Sequence, residues 1–106
     1  MTARLRIALL FGGRSAEHDV SVMSAANVFR ALDPSRFEVV PIAVTRQGEW
    51  ILCEARGGLP AKVPQEGPRI ALLPGGGGAL VAVDDGAARL VDPVDVVFPV
   101  LHGPFG

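Results

Sequence analysis

Residues 5–13, LRIALLFGG, read together with 16–32, AEHDVSVMSAANVFRAL, and 37–45, FEVVPIAVT, decide how this chain folds. Leu5, Ile7, Ala8, Leu9, Leu10 and Phe11 make an almost unbroken apolar run that ends at Gly12 and Gly13. A run of that kind marks a strand covered on both faces, as in a parallel sheet. Beyond the glycines, Ser15 is a good N-cap, and Val22, Ala25, Ala26, Phe29 and Leu32 recur at helical spacing until Asp33-Pro34 stops them, predicting a helix over Ala16–Leu32. Phe37–Thr45 is a second apolar, β-branched run, so strand, helix and strand form one right-handed βαβ unit. Pro41 falls inside that second run and has no N–H to donate, which predicts an edge strand or a bulge there.

Outward from this unit the pattern changes. Gln47-Gly48 is a turn, and Glu49–Cys53 reads as a short strand paired back on its predecessor. Residues 56–69 hold three prolines and three glycines and read as a loop. Ile70–Leu73, Ala79–Val83 and Ala88–Val91 are short apolar pieces, the first two separated by the tetraglycine 75–78 and the last two by Asp84-Asp85-Gly86, a hairpin signal. They predict an antiparallel excursion with a mobile glycine loop. Val94–Leu101 is a further buried-strand run, reached through Asp92-Pro93 and followed by His102-Gly103-Pro104-Phe105-Gly106. A strand of this type needs cover on both faces, and none follows within the 106 residues, so a piece of a longer protein is expected.

Composition narrows the function classes. With 49% hydrophobic and 20% charged residues in a chain of this length, one core and one domain over residues 1–106 are expected. The formal charge is −1, with 10 basic and 11 acidic residues that never form a block. No long-range field therefore draws in nucleic acid or an anionic membrane. Cys53 is the single cysteine, the amino terminus runs into a glycine pair where a signal peptide would be cleaved, and no apolar run approaches the ~20 residues of a bilayer span. A cytoplasmic protein is expected.

Both glycine turns, 12–17 and 102–106, follow predicted parallel strands at their carboxyl ends, the edge where open α/β sheets bind ligands. The first turn carries neither G-x-G-x-x-G nor G-x-x-x-x-G-K-[ST], so neither a dinucleotide nor a Walker-type phosphate site is indicated. These features alone describe a small-ligand α/β domain.

Phe11-Gly12-Gly13-Arg14-Ser15-Ala16-Glu17-His18-Asp19-Val20-Ser21 and Leu101-His102-Gly103-Pro104-Phe105-Gly106 resemble the two amino-terminal motifs of the D-alanine–D-alanine ligases. The first is a GG-x-SAE-x-x-VS string; the second opens an H-G-x-x-G-E-D-G signature. The resemblance runs through all 106 residues in order and spacing, with the variable part in the middle. It implies a Rossmann-like, pre-ATP-grasp, three-layer α/β domain with a small parallel sheet and an antiparallel β excursion. In that family ATP phosphorylates the carboxylate of a first D-alanine and the amine of a second attacks the acyl phosphate. ATP and Mg²⁺, or Mn²⁺, lie mainly in central and carboxyl-terminal domains outside this chain, and a homodimer is implied.

The same resemblance assigns a substrate-binding set and no catalytic or metal-binding residue. Glu17 would hold the ammonium of the first D-alanine, Val20 and Ser21 would line that pocket, and His102 with Gly103 would face it from the other turn. A carboxylate suits an ammonium. Each residue also has a plainer reading. Glu17 in a first helical turn offsets the macrodipole, and His102 at a strand end can be an ordinary hydrogen-bonded residue. Ser15 is an N-cap, His18 and Asp19 are solvated helix positions, Cys53 packs in the core, and the tetraglycine has no helix behind it to make a phosphate loop. A ligase joining D-alanine to D-lactate or D-serine, a nucleotide-binding module without chemistry, and a subunit-contact domain remain alternatives at this point.

Overall fold

The computed structural model describes residues 4–13, 18–53, 58–59, 62–64, 66–72, 75, 77–84, 86–91 and 93–101. Among them are seven strands and one helix: β1 (Leu5–Gly12), α1 (His18–Ala31), β2 (Phe37–Val44), β3 (Trp50–Leu52), β4 (Arg69–Leu72), β5 (Leu80–Asp84), β6 (Ala87–Val91) and β7 (Val96–Leu101). They form one sheet in the order β6-β5-β4-β3-β2-β1-β7. β1 runs parallel to β2 on one side and to β7 on the other, and the rest are antiparallel. The expected parallel core and excursion are both present, with strand ends within a residue or two of the sequence reading. The amino-terminal start predicted for the helix, including the Ser15 cap, lies outside the described residues.

Alternation along β1 and β2 divides the core in two. Leu9, Phe11 and Ala43 point to the helix side, where Val22 and Ala25 of α1 meet them and Val63 closes the margin. Ala8, Leu10, Val40, Ile42 and Val44 point to the other side. Among the described residues that second face is covered by strands and their connections, and the third layer is not a helix: Ile70, Leu80 and Val94 join it, with Trp50, Leu52 and Val91 packed alongside. β4–β6 therefore curl over the parallel strands. The curl is fastened where the N–H of Val94 donates to the carbonyl of Gly78 at 3.0 Å. Gly78 has φ +93, and a Cβ there would run into the Val94 carbonyl. The last glycine of the tetraglycine thus permits a close backbone approach, a role beyond the mobile loop expected from sequence.

Pro41 is neither on an edge strand nor in a bulge. β2 has neighbours on both sides, and Leu9↔Pro41 and Leu10↔Ile42 continue an unbroken register. Its carbonyl accepts the N–H of Cys53 at 2.9 Å, so its donor-less nitrogen faces the same side, just past the end of β3. The missing rung falls where the partner strand has already run out. Two-residue spacing between Asp84 and Ala87 confirms the hairpin, with Gly86 at φ +78. Helix α1 ends as expected: Asp33 Oδ1 accepts the Ser35 N–H at 2.9 Å and its hydroxyl at 2.8 Å, a local turn competing with the next helical residue. Those bonds hold the Asp33 carboxyl below its usual range.

The amino-terminal edge is pinned by charge and backbone together. The N–H of Asp95 donates to the Arg6 carbonyl at 2.8 Å, and the Asp95 carboxylate accepts the Arg6 N–H at 2.8 Å, setting where β7 joins β1. Glu38 receives both Arg4, at 2.8 Å, and Arg6. β7 itself is less covered than its apolar sequence implied, with Val96, Val97 and Phe98 exposed at 44%, 40% and 42%. It is last in the strand order, and since these residues alternate between its faces, neither face is fully covered among the described residues. Among the described residues no helix is long and apolar enough to cross a membrane.

Cys53 is half-buried against the helix-side core, and burial pushes its thiol pKa up. Because the thiolate is the nucleophile, alkylation of Cys53 by iodoacetamide at neutral pH is expected to be slower than that of free cysteine and to reach the free rate on unfolding. Peptide mass mapping over a time course measures this. A rate equal to free cysteine in the folded protein would contradict the packing described for this residue.

Candidate functional site

The parallel part of the sheet is ordered β2-β1-β7, so the chain leaves β1 toward β2 by way of α1, while the later strand β7 lies on the opposite side of β1. The gap between the carboxyl ends of β1 and β7 is therefore a topological switch point, the place where such sheets open a crevice for ligands. Register brings the carboxyl ends of the three parallel strands to one level: Gly12 is opposite Leu101 on one side and Val44 on the other. Gly12 and Gly13 both have φ +97, a region that side chains disfavour, and so the chain turns off the sheet sharply here. The N–H of Gly13 donates to the Val44 carbonyl at 2.8 Å, continuing the β1–β2 ladder by one residue.

Where β1 and β7 end, a side chain joins their ladder. Ser21, in the first turns of α1, is fully buried, and its hydroxyl accepts the Gly12 N–H at 2.9 Å while donating to the carbonyl of Val100. One hydroxyl thus links helix and both strand ends. Its neighbour Val20 is 50% exposed on the outer side of the helix. Asp19 is almost fully exposed and forms a long ion pair, 3.6 Å, with Arg46 just beyond β2, an arrangement worth little energy. That agrees with its reading as a solvated position. Of the residues expected to bind substrate, Val20 and Ser21 are thus found on α1 beside the switch point, whereas Glu17, His102 and Gly103 lie outside the described residues, as does the side chain of His18.

Sequence reasoning did not find the partner that Ser21 takes in Val100. A signal was available: Ser21 interrupts the apolar stripe running to Val22 and Ala25, and a buried hydroxyl must find partners. Which partners could not be read, because Val100 is 79 residues away. A concavity of about 390 Å³ lined by Arg4, Phe29, Leu32, Phe37 and Val39 lies at the other end, where β1 and β2 begin, away from both glycine turns. Among the described residues no three His, Cys, Asp or Glu side chains are grouped so as to hold a metal ion.

A parallel β2-β1-β7 core with a switch point at its carboxyl edge and a helix packed across it defines an α/β domain of the Rossmann-like class. The family model for the D-ala D-ala ligase N-terminus matches residues 6–106, and the chain belongs to that family. It is 58% identical, over its whole length, to the D-alanine–D-alanine ligase A of Mesorhizobium japonicum, of which it spans 30%. Over 99% of its length it is 52% identical to the D-alanine–D-alanine ligase A of Brucella suis, again spanning 30%. Among solved structures, the VanG D-Ala:D-Ser ligase of Enterococcus faecalis superimposes with a TM-score of 0.77 at 30% identity, covering 95% of this chain and 30% of that one. The D-alanine–D-alanine ligase of Coxiella burnetii gives 0.76 at 26% identity over 97% of this chain and 30% of that one.

Proposed function

We propose that this chain is the amino-terminal domain of an ATP-dependent ligase that joins two D-alanines through an acyl phosphate, supplying a peptidoglycan precursor. The observation that carries the reading is the pairing of both glycine-turn motifs with parallel strands flanking one switch point, in a chain 58% identical end to end to a D-alanine–D-alanine ligase. In this reading the domain closes the subsite of the first D-alanine. Glu17 receives its ammonium, Val20 and Ser21 border the pocket, and His102 and Gly103 approach from the second turn. A carboxylate suits an ammonium through a charge-assisted hydrogen bond.

The described residues offer no donor set for a metal, and nothing in this domain's part of the mechanism is routed through ATP or Mg²⁺ (or Mn²⁺). Those groups, together with the second-substrate subsite, belong to the central and carboxyl-terminal domains proposed as this domain's partners. The proposed protein is a cytoplasmic homodimer. The likeness to a D-Ala:D-Ser ligase supports a second reading of the second substrate, but the curated relatives at 52–58% identity favour D-alanine over it.

The full-length protein, given ATP, Mg²⁺ and D-alanine, is expected to release phosphate and form the D-alanyl-D-alanine dipeptide in equal amounts. Residues 1–106 alone are expected to turn over neither ATP nor D-alanine. Mass spectrometry of the product, with D-serine and D-lactate as competitors, checks both. A full-length protein that yields no dipeptide, or ATP hydrolysis by the domain alone, would overturn the reading.

A further inference from the structure

We infer that Ser21 is a positioning residue that ties helix α1 to the carboxyl ends of β1 and β7, and so holds the site proposed beyond those ends. This rests on the ligase reading above, since it concerns how that site is held. Ser21 is 0% exposed, so its hydroxyl has no free path to a ligand. Both of its hydrogen-bonding directions are used within the fold: it accepts from Gly12 N–H at 2.9 Å and donates to Val100 O. Gly12 is the last residue of β1, and its register partner in β7 is Leu101, the residue after Val100. A Gly12 N–H facing β7 would ordinarily donate to a β7 carbonyl. There the serine hydroxyl joins the ladder, accepting from the Gly12 N–H and donating to the Val100 carbonyl beside the strand pairing.

The hydroxyl thus ties the helix to both strands at the level where β1 and β7 end. Packing fixes it from behind, because Val22 and Ala25 on the same helix are buried against Leu9 and Phe11 of β1. Helix α1, β1 and β7 therefore meet at the Ser21 hydroxyl, and a change there acts on both strand ends at once. Subsite geometry is sensitive to such shifts, since a displacement of about 1 Å can cost on the order of a hundred-fold in rate.

The test compares Ser21→Ala, Ser21→Thr and Ala25→Gly in the full-length protein. Ala25→Gly destabilises the same buried helix face without touching either strand end, and supplies a control of similar melting loss. Ser21→Ala is expected to raise the KM for D-alanine by about three-fold to thirty-fold, short of the hundred-fold limit, with the ATP KM unchanged. It is also expected to speed exchange of the Gly12 amide, which loses one of its two acceptors. Ser21→Thr, which keeps the hydroxyl, should restore both, and Ala25→Gly should alter neither. If Ser21→Ala does not accumulate folded, Ser21→Cys, a weaker hydrogen-bonding version, reads the same two quantities. Kinetics of Ser21→Ala matching Ala25→Gly would overturn the inference. So would a raised KM with Gly12 amide exchange unchanged, which would mean direct substrate contact. Absence of any ligase activity in the unaltered protein would defeat the functional reading, while Gly12 exchange would still decide whether Ser21 braces the strands.

Discussion

Gly78→Ala is expected to destabilise the domain by about 2 to 4 kcal/mol, from a strained backbone conformation and an overpacked contact acting together. Gly78 lies at φ +93, and an added Cβ would meet the backbone carbonyl of Val94, which has no side-chain freedom to yield. The strand connection at Gly78 and the entry to β7 would have to separate, breaking the 3.0 Å hydrogen bond between them. With it goes the seating of Leu80 and Val94 over Ala8 and Leu10. Gly77→Ala is the informative contrast, because Gly77 at φ +62 has open space around its Cβ position. It should cost only about 1 kcal/mol, the left-handed penalty alone. Hydrogen exchange of the β1 and β5 peptides along a urea series measures both variants. Equal costs at 77 and 78 would show that the Gly78 contact does not hold the curl.

Glu17→Gln in the full-length protein is expected to lower kcat/KM for D-alanine by roughly ten-fold to a hundred-fold, the loss of one charge-assisted contact, and to leave the ATP KM nearly unchanged. The glutamine retains the size and one acceptor of the carboxylate but not the charge that an ammonium requires. If Glu17 serves only the helix dipole, the same change costs about 0.3 to 1 kcal/mol of stability and spares the kinetics. Asp19→Asn provides the comparison. Asp19 also carries charge in the first turn of α1, yet it is exposed and its ion pair with Arg46 is long, so its removal should leave D-alanine kinetics alone. Steady-state kinetics and melting on the two variants separate the possibilities, and D-alanine kinetics unchanged in Glu17→Gln would remove that residue from the site.

Much of the fold was legible because its causes are local. The unbroken run from Leu5 to Phe11, the helical spacing from Val22 to Leu32 and the Asp85-Gly86 turn each act through neighbours in sequence, and the strands and helix that they predict are present. The location of the site was legible for a related reason. Glycine turns directly after two parallel strands must emerge at the same edge, and Gly12 does lie level with Leu101. The motifs 11–21 and 101–106 carried the family, which residues 6–106 then matched.

What the sequence by itself determined, then, was the order and type of its elements, the shared edge at which β1 and β7 end, and the family. Only the tertiary structure decided how the antiparallel strands were used. Ile70 and Leu80 are apolar in any arrangement, and nothing near them in sequence says that they must cover Ala8 and Leu10 on the face away from the helix. Pro41 reads as an edge residue until the length of β3 is known, since whether its missing donor matters depends on where the neighbouring strand stops. Gly78 looks like one of four equivalent glycines until Val94 comes to lie against it, and Ser21 like any helix serine until Val100 arrives beside Gly12. Each of these depends on a contact between distant parts of the chain, and such contacts are set by the competition of all buried surfaces at once, which no local pattern records.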